Sequence, residues 1–261
     1  MIPLKDQAAL KQRFARDLNA RVRLDFFSLK PSPIIIPGRS DCATCEDVRK
    51  LLQELAGLNL RIKLTQHDVD EEPEVTRDMG IDKVPAIVLR GPANRPLRYF
   101  GSPAGRQFAA FVETMLLVAG GKPELQPDTV KALKRLRSDA GVKLFVTTTC
   151  VHSPLMAFTL ARLAMHSANV KLDVIEVAEF PDLIQRFYVR ATPMTVFNDE
   201  YAVLGLMDEA TLVHNLLLAA QGQTPDKGGD PQKLTPVTPP RPQQQPQQRH
   251  PTSSSGLILP R

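Results

Sequence analysis

Three cysteines carry most of the chemistry that the sequence offers. Cys42 and Cys45 form a Cys-x-x-Cys pair in DCATCEDVRKLL, whereas Cys150 stands alone in FVTTTCVHSP, because Ser153 occupies the position of a second cysteine. In such a pair at the start of a helix, the first thiolate attacks a disulfide and the second thiol resolves the mixed disulfide. The spacing predicts Cys42 as an exposed nucleophile and Cys45 as the resolving thiol.

Neighbouring charges act on the two sites differently. Arg39 favours a thiolate at Cys42, while Asp41, Glu46 and Asp47 oppose it, so the sequence leaves the net effect open.

At Cys150, we expect Thr149 to cap the following helix, His152 to place positive charge beside the sulfur and Ser153 to donate a hydrogen bond to it. Two interpretations of Cys150 remain. It is a reactive thiol that forms a mixed disulfide without resolving it, or it is a small buried hydrophobe.

Other cofactor chemistry is not indicated. A zinc site needs four ligands, and the sequence has neither a second Cys-x-x-Cys nor a paired histidine motif. FGSPAGR lacks the Lys-Ser/Thr ending of a phosphate loop. We therefore expect no metal and no bound cofactor.

The chain contains an internal repeat. Cys42 and Cys150 are 108 residues apart, and the same offset places Pro73 on Pro181, Ile81 on Val189 and Pro85 on Pro193. Each half predicts the order strand, helix, strand, short helix, strand, strand, helix. Aligning the first strands by Val22 and Val142 gives the first half about twelve extra residues around KPSPIIIPGR, which its prolines predict to be a loop.

This pattern predicts an α/β protein with two similar units and a tail. We assign residues 1–121 to the unit with Cys-x-x-Cys and 122–221 to the unit with Cys-x-x-Ser. Residues 222–261 are rich in proline, glutamine and serine, so we expect them to be disordered.

Composition restricts partners and location. The chain has 33 basic and 28 acidic residues, but five basic and two acidic ones lie in residues 222–261. The nearly neutral remainder argues against nucleic-acid binding. A charged amphipathic N-terminus and the lack of a stretch of about 18 apolar residues argue against secretion and a membrane. Three cysteines fit a reducing compartment, so we expect a cytoplasmic protein.

Each unit resembles a thioredoxin fold, with a thiol motif after the first strand and an x-Pro segment opening the third. KVPAIVL and ATPMTVF are similar to the segments that carry the cis-proline of that fold. The resemblance implies a central mixed sheet flanked by helices, with Pro85 and Pro193 as the cis-prolines. It also implies that Val84 and Thr192 bind the substrate backbone.

The tandem arrangement is more specific. RYFGSPAGRQFAAFVE and VKLFVTTTCVHSPL are similar to stretches of the glutaredoxin-like protein disulfide oxidoreductases of archaea and thermophilic bacteria. In that family both units commonly carry Cys-x-x-Cys, whereas Ser153 makes the second site here degenerate. Glutaredoxin proper fits less well, because its glycine pair is missing after both x-Pro segments.

The resemblance implies a thiol–disulfide oxidoreductase that acts on protein disulfides in cell redox homeostasis. Cys42 attacks, Cys45 resolves, and the second unit binds substrate or traps it through Cys150. A thioredoxin-reductase-like protein or a small thiol would restore the reduced state. The alternative is a non-enzymatic adaptor whose binding is switched by the Cys42/Cys45 disulfide.

Overall fold

The computed structural model describes residues 2–30, 42–228 and 232–234. The chain begins with helix α1 (Leu4–Asp17), which buries Phe14 and is followed by the first strand. The side chain of Arg13 on this helix forms an ion pair with Glu113 at 2.6 Å. None of the described helices has the length and hydrophobicity needed to cross a lipid bilayer.

In its described residues, the first unit has four strands and three further helices. Its strands are β1 (Val22–Ser28), β2 (Ile62–Asp68), β3 (Ala86–Arg90) and β4 (Leu97–Phe100). Its helices are α2 (Cys45–Leu58), α3 (Pro73–Asp78) and α4 (Gln107–Val118). This order agrees with the order predicted from the sequence.

The second unit repeats that order after a short linking helix that the sequence did not predict, α5 (Pro127–Leu133). Its strands are β5 (Ala140–Val146), β6 (Val170–Glu176), β7 (Met194–Phe197) and β8 (Tyr201–Leu204). Its helices are α6 (Ser153–His166), α7 (Pro181–Phe187) and α8 (Glu209–Ala220). The predicted α/β architecture with two thioredoxin-like units is confirmed.

All described strands, including the short β9 (Gln232–Lys233), join one sheet in the order β2-β1-β3-β4-β6-β5-β7-β8-β9. Parallel pairing of β4 with β6 connects the two units, and Arg98 on β4 reinforces it with a bidentate ion pair to Asp173 on β6. Successive side chains of β1 point to opposite faces of the sheet. Phe26 therefore packs in the apolar layer on one face, and Phe27 packs in the layer on the other. Both faces of the sheet are therefore covered.

The sheet register corrects the alignment of the two first strands. Val22 pairs with Ile62, and Ala140 pairs with Val170, which is 108 residues after Ile62. Val22 is therefore equivalent to Ala140 and not to Val142. The offset between these strands is 118, so the first unit carries ten extra residues rather than about twelve. The loop predicted around KPSPIIIPGR, including Arg39, lies outside the described residues.

Part of the segment predicted as a tail packs on the second unit. Residues Gln232–Lys233 form β9 against β8, and the backbone N–H of Leu234 donates to the carbonyl of Glu200 at 2.7 Å. Asn215 also donates to the carbonyl of Lys227 at 2.7 Å. Residues 222–228 and 232–234 are thus structured, because Leu234 adds a buried apolar side chain. Disorder beyond Leu234 stays a prediction.

Candidate active site

Both cysteine motifs lie at the same end of the sheet, beyond the carboxyl ends of the two strands that precede them. Cys42 and Cys150 follow β1 and β5, and these two strands point in the same direction through the pairings of the strands between them. Four strand-to-strand steps separate β1 from β5. At about 4.8 Å a step, the strands are about 19 Å apart, well beyond the reach of a disulfide.

Cys42 and Cys45 are joined by a disulfide in this structure. Cys42 is partly exposed, whereas Cys45 is 3% exposed and begins helix α2. The backbone N–H of Cys45 donates to the carbonyl of Cys42 at 3.4 Å, so the cysteines frame a tight turn. The helix covers the segment CEDVRKLLQELAGL, as the sequence predicted, and Cys42 lies in the turn before it.

A proline segment accompanies each cysteine site. The Val84–Pro85 and Thr192–Pro193 peptide bonds are both cis, as the sequence resemblance implied. The carbonyl of each proline accepts a hydrogen bond at 2.8 Å from the backbone N–H of the glycine that follows the second strand of its hairpin, Gly101 after β4 and Gly205 after β8. The two units therefore present their x-Pro segments in the same way.

Cys42 opens into a cleft of about 820 Å³ that both units line. Its apolar wall includes Val84, Ile81 and Phe180. Among the described residues, the charged groups that line it are one lysine and four carboxylates, namely Lys83, Asp70, Asp82, Glu179 and Asp182. The described part of the site around Cys42 is thus a half-apolar groove with more acidic than basic groups.

Glu179 contributes to the first site from the second unit. Its carboxylate accepts a hydrogen bond from the hydroxyl of Thr44, which lies between Cys42 and Cys45. The other carboxylate oxygen accepts from the backbone N–H of Ser102 at 2.7 Å. Sequence patterns do not reveal Glu179 or Thr44 as part of the site, because only the pairing of β4 with β6 brings them together.

A second carboxylate lies behind this contact. Glu176 accepts hydrogen bonds from the backbone N–H groups of Thr148 at 3.2 Å and Glu179 at 3.1 Å. Burial raises its pKa, and the nearby charge of Glu179 adds to that effect against the hydrogen bonds. Burial also raises the pKa of Tyr99 well above its usual value, and Glu176 and Glu179 reinforce it.

Cys150 is partly buried, and its thiol lies 3.1 Å from the carbonyl of Thr192, to which it donates. Burial raises the pKa of Cys150, but donors outweigh burial and set the pKa below its ordinary value. These donors are the Ser153 hydroxyl, the backbone N–H groups of His152 and Ser153, and Thr192. Cys150 is therefore not a fully buried side chain, and the reactive-thiol interpretation stays a prediction.

The roles predicted around Cys150 need one correction and one refinement. Thr149 does not cap α6; it is exposed in the turn, and the helix begins four residues later at Ser153. His152 occupies the N-cap position with an exposed side chain and contributes its backbone N–H. The Ser153 hydroxyl is buried without a hydrogen-bond partner among the described residues, so its predicted hydrogen bond to the sulfur stays a prediction.

Comparisons with known proteins agree with this architecture. Residues 140–217 match the model of a thioredoxin domain. A protein disulfide oxidoreductase from Aeropyrum pernix K1 superposes with a TM-score of 0.74 at 21% identity, over 85% of this chain and 94% of that chain. The N-terminal domain of alkyl hydroperoxide reductase AhpF from Enterococcus faecalis gives 0.72 at 22% identity, over 83% and 100%. The chain is a tandem thioredoxin-fold protein.

Curated relatives of this tandem thioredoxin-fold protein are longer. The alkyl hydroperoxide reductase AhpF of Pseudomonas aeruginosa is 23% identical over 214 residues, which are 81% of this chain and 39% of that protein. The chain spans about a third of the length of the curated relatives it matches.

The described residues contain no cluster of side chains suited to binding a metal ion. Across residues 2–30, 42–228 and 232–234, no three histidine, cysteine or acidic side chains are grouped closely enough to hold a metal ion.

Proposed function

We propose that this protein is a thiol–disulfide oxidoreductase that acts on protein disulfides through Cys42 and Cys45. The main support is the asymmetry of the pair, with Cys42 partly exposed in the shared cleft and Cys45 buried one turn along. The fold shared with the Aeropyrum protein disulfide oxidoreductase supports the same chemistry.

The reaction needs both cysteines in turn. In the reduced protein, the Cys42 thiolate attacks one sulfur of a substrate disulfide, and the other substrate sulfur leaves as a thiolate that takes up a proton. The Cys45 thiolate then attacks the Cys42 sulfur and releases the second substrate thiolate. The substrate gains two electrons, and the protein is left with the Cys42–Cys45 disulfide.

The x-Pro segments supply the binding surface in this proposal. We place the substrate backbone beside Val84 and Pro85 for the first site, because Val84 lines the cleft with Cys42. Thr192 and Pro193 take the same position beside Cys150.

The second unit binds or traps substrate. The Cys150 thiolate forms a mixed disulfide, and Ser153 cannot resolve it because a hydroxyl does not exchange with a disulfide. Release then requires a second thiol. We retain a division at residue 121 between the two units and a tail from about residue 222 onward as part of this proposal, with the described part of that tail docked on the second unit.

Turnover requires an electron donor that reduces the Cys42–Cys45 disulfide. We propose a thioredoxin-reductase-like protein or a small thiol in the cytoplasm for this role. The likeness to proteins named alkyl hydroperoxide reductase supports a reductase partner.

The test is reduction of insulin disulfides by dithiothreitol, with and without the full-length protein. We expect wild type to accelerate the reaction, Cys42→Ser to abolish the acceleration and Cys45→Ser to leave the protein trapped as mixed disulfides. Thr149→Ala is a matched control, since Thr149 is an exposed hydroxyl in the equivalent turn of the second site. No acceleration by folded wild type would refute the proposal.

One observation favours the redox-switched adaptor as a second candidate. The hydrogen bond from Thr44 to Glu179 ties the turn between the two cysteines to the other unit, so opening the disulfide perturbs a contact between units. Turnover separates the candidates: an enzyme reduces many insulin molecules per chain, whereas a switch reacts once. Hydrogen exchange of the second unit, compared between oxidised and reduced protein, tests the switch directly.

A further inference from the structure

Exposed apolar side chains concentrate around Cys150. Among the described residues, six large apolar side chains are exposed: Leu4, Leu60, Val151, Leu155, Tyr188 and Leu206. Val151 follows Cys150 directly, and Leu155 lies in the first turn of α6. These two side chains are 57% and 61% exposed.

Hydrogen bonds connect the other two members of this group to the same site. Tyr188 opens the loop that ends at Thr192, whose carbonyl accepts from the Cys150 thiol. Leu206 follows Gly205, whose N–H donates to the carbonyl of Pro193 at 2.8 Å. We name Val151, Leu155, Tyr188 and Leu206 the apolar rim.

The repeat shows that this rim belongs to the second unit alone. The N–H of Tyr188 donates to Gln185 as that of Gly80 does to Arg77, and Gly205 bonds to Pro193 as Gly101 does to Pro85. These shared bonds fix the equivalences. The residues of the first unit at the four rim positions are Ala43, Asp47, Gly80 and Ser102.

Tyr188 holds its rim position at a cost in backbone energy. Its φ of 50° and ψ of 46° place it in the left-handed region, where the first unit has Gly80 at a φ of 66°. A bulky side chain is unfavourable in this region, and Tyr188 is nevertheless 50% exposed. Packing therefore does not account for the tyrosine, whereas a contact partner would.

Charge also reverses between the two sites. Arg190 is equivalent to Asp82, which lines the Cys42 cleft, and Arg186 is equivalent to Asp78. Within the part of the chain that the structure describes, neither arginine forms an ion pair, and Arg186 stacks over Phe187.

Three acidic groups of the neighbouring elements are engaged elsewhere, and the exposed Asp208, two residues after Leu206, caps α8 by accepting from the N–H of Thr211. Glu176 and Glu179 are engaged with Thr148 and Thr44, and Asp182 lines the other cleft. The surface beside Cys150 is thus apolar with a basic margin.

The surroundings of the Ser153 hydroxyl bear on the reactivity of the Cys150 thiol. Ser153 is 0% exposed, and its hydroxyl has no hydrogen-bond partner among the described residues. The same hydroxyl lowers the pKa of Cys150, so it becomes satisfied when the sulfur is a thiolate. The site is built to hold the reactive form of the thiol.

We infer that the second unit carries a docking face for an extended polypeptide segment in which apolar side chains and carboxylates flank a cysteine. The apolar rim receives the apolar side chains, Arg190 and Arg186 attract the carboxylates, and Cys150 forms a mixed disulfide with the cysteine. This inference rests on the proposed function for its sulfur chemistry, and it assigns the two sites opposite charge preferences.

The test uses oxidised full-length protein, in which Cys42 and Cys45 are disulfide-bonded and Cys150 is the free thiol. Two peptides share an apolar core around one cysteine and carry either glutamates or lysines on both sides. Each cysteine is supplied as a mixed disulfide with 5-thio-2-nitrobenzoate. The Cys150 thiolate attacks the peptide sulfur, a new disulfide forms, and the coloured aromatic thiolate leaves with the electron pair of the broken bond.

Rates are divided by those of glutathione with the same peptides, which removes their intrinsic reactivity. We expect the glutamate peptide to react about five- to tenfold faster than the lysine peptide at low salt, with a smaller ratio in 1 M NaCl. Arg190→Asp, which installs the residue type of the first unit, should invert the preference. Equal normalised rates for the two peptides would overturn the charge assignment.

Two further variants test the apolar rim. Leu155→Ser and Tyr188→Gly should each slow both peptides severalfold, and Tyr188→Gly should keep or raise the thermal midpoint because it relieves the left-handed strain. Leu60→Ser is the matched control. Leu60 is 88% exposed and lies before β2, at the end of the sheet opposite to the cysteines. Unchanged rates in both rim variants would overturn the docking face.

Insulin reduction by wild type distinguishes this inference from the proposed function. That assay depends on Cys42, whereas the peptide exchange depends on Cys150. If wild type does not accelerate insulin reduction but shows the expected peptide preferences, only the oxidoreductase proposal is refuted. If it accelerates insulin reduction but shows no peptide preference, only the docking face is refuted.

Discussion

Glu179 of the second unit accepts a hydrogen bond from Thr44, which lies between the two cysteines of the first unit. A carboxylate of the second unit thereby contacts the turn that joins the two cysteines of the first unit. Because Glu179 also binds the N–H of Ser102, its charge is fixed in the cleft that Cys42 lines. The first site is therefore complete only when both units are joined.

Removing this charge should make Cys42 more reactive. In reduced protein, Glu179→Gln is expected to raise the rate of Cys42 alkylation by iodoacetamide at pH 7 about two- to fivefold, because a negative charge beside the sulfur disfavours its thiolate. Peptide mass spectrometry measures the rate. Glu200→Gln, at an exposed turn, should leave it unchanged, and a slower reaction in Glu179→Gln would contradict the electrostatic role.

Restoring a cysteine should complete the second motif. Ser153 begins α6 as Cys45 begins α2, so Ser153→Cys is expected to form a disulfide with Cys150. Oxidised wild type should show one free thiol with an aromatic disulfide reagent, and this variant none. Ser167→Cys, at the other end of α6, should show two. A free-thiol count of two in Ser153→Cys would mean that the second turn differs from the first.

The buried carboxyl of Glu176 should make stability depend on pH. Burial raises its pKa above the usual value near 4.5, so the folded protein holds this proton more tightly than the unfolded chain. The resulting stabilisation is present below the unfolded pKa and is lost as pH rises through the folded pKa.

Glu176→Gln has no carboxyl to ionise at this position and does not lose this stabilisation. The thermal midpoint of the variant minus that of wild type should therefore increase from pH 4 to pH 7. A change of 1 kcal/mol corresponds to about 2 to 4 °C for a chain of this size. Glu200→Gln serves as an exposed carboxylate control. A pH-independent difference between Glu176→Gln and wild type would show that burial does not govern this carboxyl.

The ion pair between Arg98 and Asp173 should hold the units together. Arg98→Leu leaves a mostly buried carboxylate without its cation, at an expected cost of about 3 kcal/mol in the free energy of unfolding. Urea denaturation at pH 7 measures the cost. The double variant Arg98→Leu/Asp173→Leu should recover most of it, and a double variant as unstable as the single one would contradict a charge-based penalty.

The boundary of the folded part can be located by truncation. A chain that ends at Leu234 should keep the wild-type thermal midpoint, whereas one that ends at Gly228 loses β9 and a buried leucine worth about 1.5 to 3 kcal/mol. Its midpoint should fall by several degrees. If the first truncation also lowers the midpoint, residues beyond Leu234 stabilise the folded protein.

Local patterns in the sequence were sufficient for the repeat and for the elements inside it, but not for the linking helix α5 or for β9. Helix α2 has a clear apolar face, and the offset of 108 was enough to locate Pro85 and Pro193. The alignment of Val22 with Val142 was wrong by two residues, and strand periodicity explains why. A shift of two leaves the alternation of a strand unchanged, so only the register with β2 and β6 distinguishes the alternatives.

The contacts between units could not be predicted in this way. Glu179 reaches Thr44 because β4 pairs with β6, and a parallel pairing between separate units has no local signature. The cap assigned to Thr149 failed for a different reason. A Cys-x-x segment adopts a turn before the helix, so the capping position lies three residues later, at His152.

Under the proposed function, a single sheet with both cysteine turns at the same end of its strands sets a fixed distance between the two sites. The distance of about 19 Å between β1 and β5 equals roughly six residues of extended chain. A client polypeptide lying across that end of the sheet would bring two cysteines to Cys42 and Cys150 only if a spacer of about that length separated them. The pairing of β4 with β6 fixes this interval, so it would select clients by the spacing of their cysteines.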